Sequence, residues 1–339
     1  MFREFLSGET GGVSLIDFVA IGFLVIFGAN LGSFLNVVAY RVPRGRSVVF
    51  GGSRCPVCRK PIRPWHNLPV VGWLLLGGRC RDCLVAIPFR YPLVEALAAV
   101  VIGSVAAVEL LSGGRNLPAG NAVASGPWWR GVDQLLLRPN GRLVAICSLH
   151  VTGVATLLAW ALIERDRQRL PPGWWMATLL GLLSLLLAFP WLQPARLTFF
   201  AAEPGAPLPL PEWQAAGLVG LVGMLTGWLV GTLLRNLRLG SRLAPPAMAL
   251  IGGLCGWQAT LATAVIWFAV SVVRTGTRRV LTAAAGTSLP NLDDEWLEPP
   301  RLLLADLVAA FAIELIAWRW LDQSINGLLE SLAFRTVAG

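Results

Sequence analysis

Charge is scarce in this chain: Asp, Glu, Lys and Arg make up 14% of its 339 residues, against 55% hydrophobic residues. With a mean hydropathy of +0.64, that scarcity excludes a soluble globular domain and leaves a polytopic membrane protein. Acids are scarcer still, 19 against 28 Lys and Arg, and the net charge is +9. Between Trp213 and Leu292 there is no Asp or Glu at all, so no carboxylate chemistry can come from that stretch. Internal repeats and low-complexity tracts are absent, which excludes a repeat array. The chain also lacks a Gly-rich dinucleotide fingerprint. The excess of cations does not point to nucleic acid. It gathers in the segments between apolar runs, where membrane topology and anionic lipid headgroups account for it.

Apolar runs lie near residues 14–39, 92–111, 143–163, 174–193, 213–234, 247–272 and 302–320, each close to the roughly 20 residues that cross a hydrocarbon core as a helix. The expected fold class is therefore all-α, a polytopic integral membrane bundle of seven or eight spans. From Arg41 to Arg90 the first loop carries Arg41, Arg44, Arg46, Arg54, Arg59, Lys60, Arg63, Arg79, Arg81 and Arg90 against the single acid Asp82. The positive-inside rule places it in the cytoplasm. The amino terminus then lies outside, and 164–173 and 235–246, with Arg165, Arg167, Arg169, Arg235, Arg238 and Arg242, lie inside. Arg274, Arg278 and Arg279 oppose that parity: either the rule is violated locally or the run 247–272 is two shorter pieces. The first run has no small-residue cleavage pattern after it and is expected to stay as a span. The segment 112–142 reads as an external loop, and Trp128-Trp129 and Trp174-Trp175 suit an interfacial aromatic belt.

Four cysteines mark the first loop. Cys55-Pro-Val-Cys58 and Cys80-Arg-Asp-Cys83 are separated by the 21 residues 59–79, a spacing that suits a tetrahedral four-thiolate zinc site. Disulfides, which need an oxidising compartment, or free thiols are the alternative. His66 lies between the pairs and could replace one thiolate, but four cysteines already complete a tetrahedral shell, so it reads as a surface residue or a hydrogen-bonding partner of a ligand. His150, Cys147 and Cys255 fall within apolar runs and read as packing residues. Gly72, Gly77 and Gly78 permit tight turns near the cysteines.

The run Gly32-Ser33-Phe34-Leu35-Asn36-Val37-Val38-Ala39-Tyr40-Arg41-Val42-Pro43-Arg44-Gly45, then Ser53-Arg54-Cys55-Pro56, Asn67-Leu68-Pro69, Gly78-Arg79-Cys80-Arg81 and Arg90-Tyr91-Pro92-Leu93-Val94-Glu95, closely resembles the bacterial type IV prepilin leader peptidase and N-methyltransferase family. The likeness is dense over about residues 30–100 and thins beyond, where Gly252-Gly253-Leu254-Cys255-Gly256-Trp257-Gln258 still looks like that family's second half. The resemblance implies a multi-pass protein of the bacterial inner membrane. Such an enzyme cleaves the leader from type IV pilin or type II secretion pseudopilin precursors and methylates the new amino terminus with S-adenosylmethionine. It implies four sections: a first span over 1–40, a metal-binding methyltransferase-associated loop over 41–91, a second span with an external loop over 92–142, and a peptidase-like bundle over 143–339. Residues for S-adenosylmethionine are not identified.

In that family cleavage uses two aspartates, because two nearby carboxyl groups share a proton and serve as acid and base on a water. The first pattern aligns with Glu164, followed by Leu170-Pro171, and makes Glu164 the candidate catalytic residue. A glutamate shifts the carboxylate by one methylene, and such a misplacement costs up to about 100-fold in rate. Asp166 would point about 200° away on a helix. The second aspartate aligns with Ala244. Glu95, Asp306 and Glu314 are the ionisable candidates within the runs. The expected activity is that family's action on pilin-type precursors, with the peptidase acid pair not intact. The alternative is a non-catalytic homologue that binds pilin-like helices or assists assembly, and more remotely an unrelated membrane protein such as a transporter.

Overall fold

A computed structural model describes residues 14–50, 52–118, 131–137, 139–195, 211–284 and 303–337, with backbone alone for 133, 134, 212, 278–284, 322, 323 and 325–337. Trp128 and Trp129, and the side chains of Arg278 and Arg279, lie outside the described residues. Among the described residues each predicted apolar run is largely helical, and the helices are α1 Leu15–Arg41, α2 Val71–Leu75, α3 Arg90–Leu111, α4 Gly131–Leu137, α5 Gly141–Arg165, α6 Pro172–Ala188, α7 Glu212–Asn236, α8 Ala244–Ala284 and α9 Leu304–Val337. Among the described residues five helices, α1, α3, α5, α7 and α8, are long and apolar enough to cross a membrane. Helix α6 is a shorter apolar helix. Helix α9 covers the run 302–320 from residue 304 on.

The chain divides into two compact units, Met1–Arg115 with Ala122–Pro171, and Asn116–Asn121 with Pro172–Gly339. In the first unit α1 begins with a capping box: Asp17 N donates to Ser14 Oγ at 3.3 Å and Ser14 N donates to Asp17 Oδ2 at 2.9 Å, which satisfies orphan donors of the first turn. The buried Asp17 also accepts from Val132 N at 2.6 Å and so ties α4 to the start of α1. Helix α1 turns large apolar side chains outward, Phe18, Phe23, Ile26 and Phe34 among them, and buries Gly28, Gly32 and Asn36. That is inside-out relative to a soluble helix and is the packing of a lipid-facing span. At Gly32 an added Cβ would lie 2.7 Å from Ala98 Cβ and 2.9 Å from Glu95 Cα, so only glycine lets α1 and α3 approach this closely.

In the second unit α7 and α8 pack backbone to backbone. A Cβ on Gly223 or Gly227 would collide with the carbonyls of Gly252 or Met248, and one on Gly231 would sit 2.5 Å from the Ala244 carbonyl. Helix α8 is broken at Gly256, whose φ of 82° and ψ of 177° leave the helical region, a conformation that glycine tolerates. The predicted run 247–272 is thus two helical pieces joined at a glycine. Arg274, which conflicts with the charge parity, donates from Nε to Asp306 at 2.9 and 3.1 Å, while Ser271 Oγ donates to the same carboxylate at 2.8 Å. Its charge is compensated locally, so it does not weigh on topology as a free cation would.

Candidate functional site

The four predicted metal ligands converge. Their Sγ atoms all lie within 4.8 Å of one another, with Cys55 to Cys83 at 3.7 Å and Cys58 to Cys80 at 4.0 Å. Zinc bound tetrahedrally at ~2.3 Å to sulfur requires sulfurs about 3.8 Å apart, so the donor set fits one ion shared by both pairs. Local backbone geometry explains the convergence. Each pair lies on the same kind of turn: Cys55 N donates to Lys60 O and Arg59 N to Cys55 O, and likewise Cys80 N donates to Val85 O and Leu84 N to Cys80 O. The residue after each second cysteine, Arg59 at φ 60° and Leu84 at φ 58°, takes the left-handed conformation that closes the turn. Isolated bridges Arg54 to Pro61 and Arg79 to Ala86 flank the two turns.

Electrostatics around the cluster favour a bound cation. Backbone N–H groups of Cys58 and Val57 draw the Cys55 thiol down to about 7. At Cys83 the Val85 amide pulls the same way, but burial and the neighbouring thiols outweigh it and push the thiol up to about 11. Four thiolates crowded together need a positive ion to ionise fully. An exposed ion pair, Lys60 Nζ to Asp82 Oδ1 at 3.0 Å, links the two turns, raising the Lys60 ammonium and lowering the Asp82 carboxyl. His66 is not part of the thiol cluster. Its ring meets Trp65 edge-on, and the close packing of Gly72 onto its carbonyl fixes the turn.

The loop is docked on the helices through Glu95. This buried residue of α3 accepts from Val70 N at 2.6 Å, and the Ser33 hydroxyl of α1 hydrogen-bonds the same carboxylate. One turn away on α1, Asn36 Nδ2 reaches Tyr91 O at 3.5 Å, and the buried Asn36 Oδ1 has no hydrogen-bond partner among the described residues. Val70 is the centre of a γ-turn: Val71 N donates to Pro69 O at 2.6 Å, and Val70 has φ 61° and ψ −54°. This conformation is strained for any L residue and more so for a β-branched one. Trp73 Nε1 donates to Ile87 O at 3.0 Å and stacks edge-on against Phe89, which pins α2 to the entry of α3.

The two positions that the sequence aligns with the family's aspartates, Glu164 and Ala244, have different surroundings. Glu164 lies half-buried in the last turn of α5. Asp166, just past the end of that helix, is held by Arg90 Nη1 at 2.6 Å. In the second unit Ala244 is fully buried at the first residue of α8, facing Gly231 and 3.3 Å from where a Cβ on Gly240 would stand. Asp306 is occupied by Arg274, and Glu314 is buried on α9. The unforeseen acid is Glu109, whose Oε1 lies 2.6 Å from His150 Nδ1, both buried on adjacent helices. Two ionisable residues in successive apolar runs were the signal for that pair. Nothing in the sequence signalled the Val70 turn except the Asn67-Leu68-Pro69 motif before it.

Residues 26–108 match the bacterial peptidase A24 N-terminal domain family. The prepilin leader peptidase/N-methyltransferase of Neisseria gonorrhoeae is 39% identical over 118 residues, 28% of this chain and 41% of the relative. That of Myxococcus xanthus is 48% identical over 79 residues, 23% of this chain and 24% of the relative. The type 4 prepilin-like proteins leader peptide-processing enzyme of Escherichia coli O78:H11 is 30% identical over 262 residues, 68% of this chain and 80% of the relative. The chain thus spans less than half the length of the first two relatives and most of the third. No solved structure matches it.

Proposed function

This chain belongs to the prepilin leader peptidase and N-methyltransferase family, and from that premise we propose that it acts on type IV pilin or type II secretion pseudopilin precursors as a methyltransferase without a working aspartic peptidase pair. The observation that carries this reading is a contrast between its two halves. The loop half retains every element needed to hold a metal and dock it on the membrane helices: Cys55, Cys58, Cys80 and Cys83, with Ser33, Asn36 and Glu95 beneath. At the second aspartate position of the other half stands Ala244, sealed in a glycine-lined seam, in a stretch without acids.

Five apolar helices and the family make this an inner-membrane protein. The ten cations between Arg41 and Arg90 support a cytoplasmic cysteine loop by the positive-inside rule, on the side where S-adenosylmethionine is available. Zinc at the four thiolates would hold together a loop too small to bury its own core. S-adenosylmethionine would supply the methyl group. Pilin precursor helices and membrane lipid are the partners, and nucleic acid is not. A second reading, a non-catalytic homologue that binds pilin-like helices, is favoured by the burial of Ala244 alone and asks nothing of the loop.

Co-expression with a pilin precursor and intact-mass analysis of the product separates these readings. A precleaved pilin that gains one methyl group supports methyl transfer. An unchanged precleaved pilin supports the binding reading. A precursor that loses its leader refutes the claim that the peptidase pair has lapsed.

A further inference from the structure

The ground beneath the cysteine loop is lined by acceptors in a region that otherwise bristles with cations. Glu95 presents a carboxylate from α3, and Asn36 on α1 presents a carbonyl oxygen with no partner among the described residues although the residue is 94% buried, its relative exposure being 6%. Ser33 and Asn36, three residues apart, lie on one face of α1, and Tyr91 and Glu95, four apart, on the facing side of α3. A buried acceptor without a donor marks a place where something is to bind. Its partner has to bring N–H groups and, facing Glu95, positive charge.

Among the described residues the donor that the loop sends to this carboxylate is the Val70 amide, at 2.6 Å. It arrives on a γ-turn with a β-branched residue at φ 61°, and strain of this kind persists where the surroundings impose it and function uses it. We infer that Glu95 and Asn36 form a seat for a primary α-ammonium group, for which the Val70 amide is a stand-in when the ligand is away. On binding, the ammonium donates to Glu95 and Asn36 Oδ1, and the Val70 amide leaves the carboxylate, which lets the turn relax. The inference deepens the methyltransferase reading and rests on it for the source of the amine. Two ligands of that reaction carry such a group, the free amino terminus of the cleaved pilin and the amino-acid end of S-adenosylmethionine. Glu95 and Asn36 are binding residues here, and no bond to carbon changes at them.

The test uses the full metal-loaded chain in nanodiscs, wild type and Glu95→Gln, with three probes: a peptide with a free amino-terminal phenylalanine, its acetylated twin, and S-adenosylmethionine. Calorimetric titration is expected to show one amine-bearing probe binding the wild type and weakened at least about tenfold by Glu95→Gln, the loss of a charge-assisted bond. If that probe is the peptide, acetylation alone reproduces the loss. If it is S-adenosylmethionine, the seat belongs to the cofactor. Hydrogen exchange should show the Val70 amide losing protection when that probe binds. Metal content and melting temperature of Glu95→Gln should match the wild type. If they do not, Asn36→Ala replaces it and is expected to weaken the same probe several-fold. Amine probes that fail to bind the wild type, or bind the intact variant equally well, overturn the inference. Glu95-dependent binding by a wild type that transfers no methyl group leaves this seat standing and removes the methyltransferase reading.

Discussion

Placing an aspartate at Ala244, the position that the sequence aligns with the family's second aspartate, should fail, and the packing around it says by how much. Ala244 has no exposed surface, its carbonyl faces Gly231 across the α7–α8 seam, and Gly240 closes the side of its methyl group. An aspartate there adds three heavy atoms to a packed site, at about 1–3 kcal/mol. It also buries a carboxyl group with no donor provided, at a further 2 kcal/mol or so at the low end. A loss of about 4 kcal/mol lowers the melting temperature by roughly 10 °C for a unit of this size. A thiol-reactive dye that reports exposure of the buried Cys147 and Cys255 measures the transition, and co-expression with a pilin precursor measures cleavage. A variant as stable as the wild type, or one that cleaves the precursor, refutes the claim that helix packing has closed this position.

Replacing Cys55 and Cys80 together by serine should abolish bound metal in elemental analysis and expose residues 46–88 to protease, as should exhaustive chelation of the wild type. Leu84→Gly should strengthen the second turn by about 1 kcal/mol, because glycine takes φ 58° without the Cβ penalty; the readout is a higher chelator concentration at half release of metal. Arg274→Ala should destabilise the second unit by about 3 kcal/mol by leaving Asp306 buried without its cation, and Arg274→Ala with Asp306→Ala should recover much of that loss in the same melting assay.

The helices were legible because a hydrocarbon core asks for about 20 apolar residues wherever a chain crosses it, and among the described residues five of the seven runs form helices long and apolar enough to do so. The thiol cluster was legible because Cys-x-x-Cys fixes two ligands on one turn, and a second pair needs only a loop to meet the first. Contacts between distant segments were not. The pairing of Arg274 with Asp306 joins two helices across a stretch outside the described residues, so in sequence the arginine reads as an uncompensated charge. The break at Gly256 depends on a single φ, which Gly252-Gly253-Leu254-Cys255-Gly256 does not distinguish from its neighbouring glycines. Glu109 sits two residues from the end of its run, where an acid reads as a helix terminus until His150 is seen against it. Glu95 could be recognised as an ionisable residue at the start of a span, but its two donors come from Ser33 on one side and Val70 on the other. Only the fold brings those together.

The central claim, methyl transfer without cleavage, is tested most directly in a single reaction. The purified metal-loaded chain is incubated with S-adenosylmethionine and an equimolar mixture of pilin precursor and precleaved pilin, and the intact masses of both are followed. The account predicts that the precleaved pilin gains one methyl group while the precursor keeps its full mass. A precursor shortened by its leader, or a precleaved pilin that stays unmodified, would contradict it.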